Sequence, residues 1–529
     1  MSIRPHVRYT TFDEEYAQIF KSTYTSRDRK YRRHPPLLCY TAHVKLEYLN
    51  KEGFMPKGST QAIILAAGKS SRFNTGKSKL LEKICGQEMV VYLTKLFTDM
   101  HIPVTAVVGF QQELVRDVIN RNHPHMVAFA EQHEQLGTGH ALLCSRPTWN
   151  ADNILVINGD MPLITQDIIT TLIQQHHQKD AAISFVIAHQ TDPSVGAYGR
   201  LVNDQGIVEI VEARDFTKDP QEYCYINAGI YLIKRTYLEH AITTLQQNAR
   251  SREFYITDLI KRASLDQLSI ETVLVPFDCV RGINTIEELW AAEQIKKSDL
   301  IRHWMDNGVR FYATHNLHIE ADVHIGAGTV VGCGVHLLRG TKIGKNCKIN
   351  EMVSIYSSVI GDEVTVQPYT LITDAVIGDR VTVGPFAHLH HQTIVAHDAI
   401  IGNFVEVKNS SIGAHTKAKH LSYLGDATLG NNVNIGAGTI TCNYDGTQKH
   451  QTTIQDGAFI GSNNTLVAPI TIGENAYTAA GSTITENVPN HALAFGRSRQ
   501  INKEHYTHTS CSLKKTSCTK TDYENSEQP

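Results

Sequence analysis

From about Ile319 the chain repeats with a period of six, and this constrains its fold more than any other feature. Apolar–Gly pairs recur at Ile325-Gly326 and Ile343-Gly344, at Ile377-Gly378 and Ile401-Gly402, and at Ile412-Gly413 and Leu424-Gly425. They return at Leu429-Gly430 and Ile435-Gly436, then at Ile460-Gly461 and Ile472-Gly473. Within each pair of sites the separation is a multiple of six, and one-residue slips separate the groups. A six-residue unit makes one short strand and one turn, and three units close a triangular coil. The aliphatic side chain points into the prism, while Gly or Asn takes the tight turn where a Cβ is costly. The expected architecture is a β-helix of hexapeptide repeats. The stretch CNYDGTQKHQ, from Cys442, breaks the period as a loop reaching over a neighbouring subunit would.

Ahead of the repeat the texture differs. QAIILAAG (from Gln61), VTAVVGF, NILVINGD and AISFVIA read as buried strands, with amphipathic stretches such as QELVRDVIN between some of them. This alternation predicts a mostly parallel, doubly wound sheet whose ligand lies outside the strands' carboxyl ends. Residues 285–308 read as a linking helix. Thr285 and Glu288 fit a capping box, Leu289, Trp290, Ile295, Ile301, Trp304 and Met305 form an apolar stripe, and Gly308 suits the stop. The expected organisation is an extension over 1–58, an α/β domain over 59–285, the linking helix over 286–312, the β-helix over 313–502 and a disordered tail over 503–529. The extension carries a basic stretch (Arg27, Arg29, Lys30, Arg32, Arg33) and reads as a solvated, partly disordered lead. A basic binding arm, or a true start at Met55, are the alternatives.

A net charge of −3 and a pI near 6.8 give no electrostatic reason for a nucleic-acid or anionic-membrane partner. No apolar run approaches the roughly 18 residues of a membrane span, and the N-terminus lacks the apolar core of a signal peptide. A cytoplasmic protein with no membrane insertion is expected. The 10 cysteines are scattered singly and read as free thiols of a reducing compartment.

Three pieces of the α/β half carry chemistry. LAAGKSSRF (Leu65–Phe73) follows a strand directly, so its backbone N–H groups face a phosphate, and Arg72 adds a bidentate cation. Lys79 follows within reach of the same phosphates. INGD (Ile157–Asp160) puts a carboxylate on a strand's carboxyl edge, a natural Mg²⁺ ligand beside a phosphate loop. EQLGTGHA (Glu134–Ala141) is a Gly-rich turn able to close over a flat base.

The order LAAG…K, Q-x-x-x-x-GT, NGD, YGR, VE, N-x-G, YITD and G-x-N resembles the sugar-nucleotidyltransferase superfamily. The repeat half, with HLSYLGDATLGNNVNIGAGTITCNYDG (His420–Gly446), resembles the bifunctional N-acetylglucosamine-1-phosphate uridylyltransferase/glucosamine-1-phosphate acetyltransferase family. The resemblance covers roughly residues 61–505. It implies a Rossmann-like nucleotidyltransferase domain followed by a left-handed parallel β-helix, synthesis of UDP-N-acetylglucosamine, Mg²⁺ as cofactor, UTP and acetyl-CoA as co-substrates, and a homotrimer.

The resemblance also assigns roles. Leu65, Ala66, Ala67 and Gly68 would touch uridine and phosphate, with Arg72 and Lys79 neutralising charge. Gln132, Gly137 and Thr138 would read the uracil, and Asn158, Gly159, Gly199, Glu212 and Asn227 would line the nucleotide–sugar site. Asp160 and Asn284 would hold Mg²⁺. In the repeat half His420 would be the general base and Glu406 would orient it. His390, Lys408, Tyr423 and Asn434 would bind the acetyl acceptor, while Ala437, Asn443, Tyr444, Ser462, Ala480 and Arg497 would line the acetyl-CoA cleft.

Several positions depart from the family pattern. Ser70 replaces a Gly, Ser78 a Pro, Ala228 a Thr, and Arg281 an acidic residue, which suggests altered kinetics or sugar preference. Lys419 replaces a small residue before His420, and Leu389-His390-His391-Gln392 stands where the family has Leu-Arg-Pro-Gly, so the phosphate-gripping Arg is absent. Two alternatives stay open: a monofunctional nucleotidyltransferase with a trimerising β-helix, and a non-catalytic regulator built on both folds.

Overall fold

The computed structural model describes residues 58–69, 73, 76–190, 198–217 and 223–504. The expectations made for the N-terminal extension and for the tail beyond residue 504 lie outside the described residues.

The α/β half is built on strands β1 (Thr60–Ala66), β2 (Val104–Val108), β3 (Val127–Glu131), β4 (Asn153–Asn158), β5 (Ile183–His189), β6 (Tyr225–Lys234) and β7 (Ile270–Val275). They lie in the order β7-β5-β6-β4-β1-β2-β3. All neighbours pair in parallel except β6, which runs antiparallel to β4 and β5. The strands read as continuous apolar runs because both faces are covered. Ala62, Ile64 and Ala66 of β1 pack with helices α1 (Met89–Asp99) and α2 (Gln112–Asn122). Ile63, between them, packs into the opposite layer with α3 (Thr138–Cys144). Strand order reverses at β1, which has β2 on one side and β4 on the other, so the crevice at its carboxyl end is the topological switch point, the place where open α/β sheets generally bind ligands.

The linking helix α4 runs Ile286–Asp306 with the Thr285–Glu288 capping box formed at its start. Its apolar stripe is corrected by the structure. Leu289 and Ile295 pack on the α/β half, and Ile301 and Trp304 on the β-helix, but Trp290 (63 % exposed) and Met305 (45 %) face outward. The helix changes packing partner along its length, so no single stripe is buried throughout. Gly308 follows at φ +83°, a left-handed stop.

Beyond it the chain winds through a triangular, left-handed β-helix whose strands all pair in parallel. The first strand face passes directly into the second around one edge, and a separate sheet makes the third. Successive rungs are 18 residues (His318 opposite His336) or 17 (Ser354 opposite Leu371), the one-residue slips seen in the repeat. One rung takes 25 residues (Ala427 opposite Thr452) because it carries the loop after Cys442. Inside the prism Ile319, Leu337, Ile355, Ile372, Leu389, Val407 and Leu424 stack as a column with no accessible surface, and Ile301, Leu300 and Trp304 of the linking helix pack against the same core. Truncating one of these to Ala costs about 2–5 kcal/mol, since a prism this narrow has nothing to refill the gap. Among the described residues no helix is long and apolar enough to cross a membrane, and every cysteine is a free thiol.

Candidate active sites

The first site gathers at the carboxyl ends of β1 and β4. Ala66 and Ala67 are buried, Leu65 is half-buried and Gly68 is exposed, open on the side where a Cβ would stand. Gly159 donates its N–H to Leu65 O at 2.9 Å, and a Cβ there would press on that same oxygen, so the two strand ends touch only because residue 159 is Gly. This contact brings Asp160 beside the loop. Arg72 lies outside the described residues.

Three distant segments then converge. Asp160 O accepts from Ile283 N at 3.0 Å, which draws Gly282–Asn284 to the strand end. Glu288 Oε2, the reciprocal half of the capping box, accepts from Asn284 N at 2.6 Å and Thr285 N at 3.0 Å. Lys79 Nζ lies 2.5 Å from Asp160 Oδ2 and 2.8 Å from Asn284 Oδ1. A carboxylate and an amide oxygen thus face one cationic centre. Hard oxygen donors in this number fit Mg²⁺, which completes its shell with water and phosphate. Lys79, expected on phosphate, instead pairs with the two expected metal ligands in this structure. Tyr198 closes the back of the site: its hydroxyl accepts from Gly282 N at 2.9 Å, and burial pushes its pKa up to about 12.

Farther along the crevice Gln132 is buried at the end of β3, and its Nε2 donates to Gly137 O at 3.1 Å. Gly137 has φ +101°, and a Cβ there would sit 2.6 Å from Phe254 O. Thr138 Oγ1 accepts from Ile256 N at 3.1 Å, so the Gly-rich turn is pinned to the Tyr255–Asp258 segment. That segment also reaches Glu212, because Thr257 donates to Glu212 Oε1 at 2.8 Å. Burial raises the Glu212 carboxyl above the ordinary carboxylate range, and the Thr257 bond partly offsets this. Asn227 Nδ2 donates to the Tyr231 hydroxyl at 2.6 Å, and Gly199 O accepts from Asn227 N at 2.8 Å. Asn158 packs over Gly229, where a Cβ would collide with its amide.

The second site lies on the edge between the first two faces of the prism. Ala418 and Tyr423 pair with Ile435 and Ile440, so His420 between them stands directly over Ala437. The next pairings put Ala437 over Ser462 and Ser462 over Ala480, one column on a single edge, half-buried at Ala437 and exposed at Ser462 and Ala480. Arg497 flanks its end beside Gly481. Asn443 is buried and donates to Asp426 Oδ2 at 2.5 Å, fixing the root of the long loop. Tyr444 at the loop's start is 61 % exposed.

The expected acceptor residues do not all meet. His390, Lys408 and Tyr423 share the second face: His390 lies over Lys408, and the Tyr423 ring folds across Gly425 in the rung beyond. Asn434 lies on the first face, across the His420 edge. Glu406, expected to orient His420, contacts a different side chain. Glu406 Oε1 meets His390 Nε2 at 2.8 Å, while His420 Nδ1 meets Asn403 Oδ1 at 2.9 Å. Register is the reason: Asn403 is paired with His420, whereas Glu406 is paired with Tyr423. His388 lies against His390 with ring centres 3.6 Å apart, and burial lowers its pKa.

Residues 62–257 match the MobA-like NTP transferase domain, 313–423 the GMPPB C-terminal domain, and 451–486 the bacterial transferase hexapeptide (six repeats). The bifunctional protein GlmU of Thermodesulfovibrio yellowstonii is 39 % identical over 446 residues, covering 83 % of this chain and 97 % of that protein. This chain belongs to the bifunctional GlmU family. The GlmU proteins of Thermosipho melanesiensis and Geobacillus thermodenitrificans are each 40 % identical over 84 % of this chain and 97 % of their own length. A match across nearly the whole of these GlmU proteins takes in both halves. Three further positions, Tyr198, Thr257 and Asn403, help hold the two sites together. Tyr198 and Thr257 sit inside the YGR and YITD motifs, and Asn403 stands one 17-residue rung before His420, a spacing the repeat itself supplies.

Proposed function

We propose that this chain makes UDP-N-acetylglucosamine by two successive transfers, one in each half. The observation that carries this reading is that one chain of the family holds both the Asp160–Asn284–Lys79 convergence and the His420 column. In the β-helix, His420 Nε2 takes a proton from the amine of glucosamine-1-phosphate as its nitrogen attacks the acetyl-CoA carbonyl. The C–S bond breaks, and CoA leaves as a thiol once protonated. Asn403 holds the other ring nitrogen and so aims Nε2 outward. Ala437, Ser462 and Ala480 leave the edge flat for the cofactor, with Asn443, Tyr444 and Arg497 beside it.

In the α/β half a phosphate oxygen of N-acetylglucosamine-1-phosphate attacks the α-phosphorus of UTP and pyrophosphate leaves. Asp160 and Asn284 would hold Mg²⁺, which supplies charge neutralisation on the phosphates when bound. Lys79, on a flexible four-carbon stem, turns from Asp160 to phosphate oxygens, and Arg72 adds a second cation. Gln132, Gly137 and Thr138 face the uracil. Gly199, Glu212 and Asn227 face the sugar, with Asn158 and Gly159 between them and the phosphates. The enzyme acts in the cytoplasm on small molecules.

The same reading makes the enzyme a homotrimer. Met352, Tyr369, Phe386, Phe404 and Leu421 form an apolar column beside the His420 edge, each 46–61 % exposed, with the three aromatic rings stacked at 5.0 and 5.3 Å. A second copy covering this column would remove it from water. Sedimentation at micromolar concentration showing a stable monomer contradicts the trimer. The function is tested by two assays of the purified protein, pyrophosphate release from UTP and free CoA from acetyl-CoA. Both are expected; pyrophosphate without CoA leaves a monofunctional nucleotidyltransferase, which the His390–Glu406 pairing in place of an Arg favours, and neither product overturns the reading.

A further inference from the structure

The amide of Gln132 is held by two groups, and together they dictate which way it faces. Nε2 lies 3.1 Å from Gly137 O and 3.1 Å from His140 Nδ1. A backbone carbonyl only accepts, so the NH₂ end of the amide must be the end that faces Gly137. His140 Nδ1 is then the acceptor for the second N–H, and the ring proton sits on Nε2. That proton points toward Cys144 Sγ, 3.8 Å away one helical turn on, and burial raises the Cys144 pKa so that it stays a thiol. Both amide hydrogens are consumed within the protein. Oε1 is left, and among the described residues no protein donor reaches it.

We infer that His140 is a positioning residue that fixes Gln132 as a hydrogen-bond acceptor, and thereby selects a nucleobase with a ring N–H donor over one without. Uracil carries N3–H, whereas cytosine presents a bare N3 acceptor at the same place. An acceptor held against N3 of cytosine is left unpaired in a dried site, and mismatches of this kind discriminate far more strongly than shape. The geometry around His140 supports a fixed role. The Gly137–Gly139 turn cannot drift, since Gly139 N donates to Phe254 O at 2.8 Å and Phe254 N to Leu136 O at 2.8 Å. Gln132 is fixed at its other end by its own N–H to Val108 O at 2.8 Å. With the backbone pinned on both sides, Gly137 O and His140 Nδ1 together hold the amide, each taking one of its two hydrogens. This inference rests on the reading that Gln132 faces the base of UTP.

The test compares kcat/KM for UTP and for CTP, with N-acetylglucosamine-1-phosphate as acceptor, in the full chain and in three variants. His140→Leu removes the acceptor and is expected to reduce the UTP-over-CTP preference about 10-fold, through KM for UTP more than through kcat. His140→Asn places Oδ1 near the position of Nδ1 and is expected to keep the preference within about 2-fold. Gln132→Leu is expected to lose the preference altogether. A His140→Leu enzyme with the parent's preference, beside a Gln132→Leu enzyme that has lost it, overturns the positioning role alone. If Gln132→Leu keeps the preference, the base reading by Gln132 falls and the inference falls with it. Should thermal melting show that His140→Leu does not fold, His140→Lys, which offers donors only, replaces it. Loss of preference there supports the role and retention overturns it.

Discussion

The two halves assemble their sites by opposite means. In the α/β half Leu65, Lys79, Gln132, Asp160, Glu212 and Asn284 come from six separate stretches, and each reaches the crevice because a strand ends there or a helix begins there. In the β-helix Asn403, His420, Ala437, Ser462 and Ala480 meet because they occupy the same place on successive rungs. The first arrangement is fixed by long-range contacts such as Gly159 on Leu65 and Ile283 on Asp160. The second is fixed by counting, since each rung contacts only its neighbours. A disturbance in the sheet should therefore spread through its site, while one in the prism should stay near its own rung.

The sharpest test of that separation is a crossed pair of variants. His420→Ala should lower acetyl transfer roughly 10²–10⁴-fold, the usual worth of a positioned general base, and leave uridylyl transfer intact. Asp160→Asn should do the reverse, with a loss of about 10³-fold in UDP-sugar formation, from the several kcal/mol of charge stabilisation a divalent ion supplies. Free CoA and pyrophosphate measured on each variant give four rates. If either substitution depresses both reactions equally, the sites are coupled and the comparison breaks.

Acid should separate the halves next. His176 is the fully buried histidine among the described residues, held by Ser184 Oγ at 2.8 Å and Asn153 Oδ1 at 3.2 Å, and burial pushes its pKa down to about 4. Its unfolded value is about 6.5, so the unfolded chain binds the extra proton between these two values. The stability it protects is fully present above pH 6.5 and is lost as pH falls toward 4, a change on the order of 3 kcal/mol. Thermal melts at pH 7.5 and 4.5 should show the α/β transition moving down while the β-helix transition holds. His176→Gln should flatten the first. Equal movement of both transitions would contradict the assignment.

His390 provides a smaller effect. It carries the place where the family pattern has an Arg, and it already faces Glu406. His390→Arg should lower KM for glucosamine-1-phosphate roughly 10-fold through a charge-assisted phosphate contact, with little change in kcat. An unchanged KM would mean that residue 390 does not reach the acceptor. The smallest effect is at the helix start. Thr285→Ala removes half of the capping box, costing about 1 kcal/mol of stability, and loosens Asn284. The Mg²⁺ concentration for half-maximal uridylyl transfer should rise roughly 2- to 10-fold, with acetyl transfer unmoved.

Much of this was legible in the sequence. The period of six fixed the β-helix because aliphatic and Gly positions must alternate at the rhythm of the coil, and the Thr285–Glu288 box marked where a helix begins. The apolar runs from Gln61, Val104 and Asn153 read as buried strands. What the chain alone left undecided was pairing. Glu406 and Asn403 are both near His420 in sequence, and only the register of the rungs puts Asn403 beside it and Glu406 beside His390. Asp160 and Asn284 were expected together on Mg²⁺ through the family resemblance and Lys79 on phosphate, but the contact of Lys79 with both depends on how the sheet orders β1 and β4 and where the linking helix starts. A sequence pattern records which face of its own element a residue occupies. Which side chain stands opposite depends on contacts between elements, and those exist only once the chain is folded.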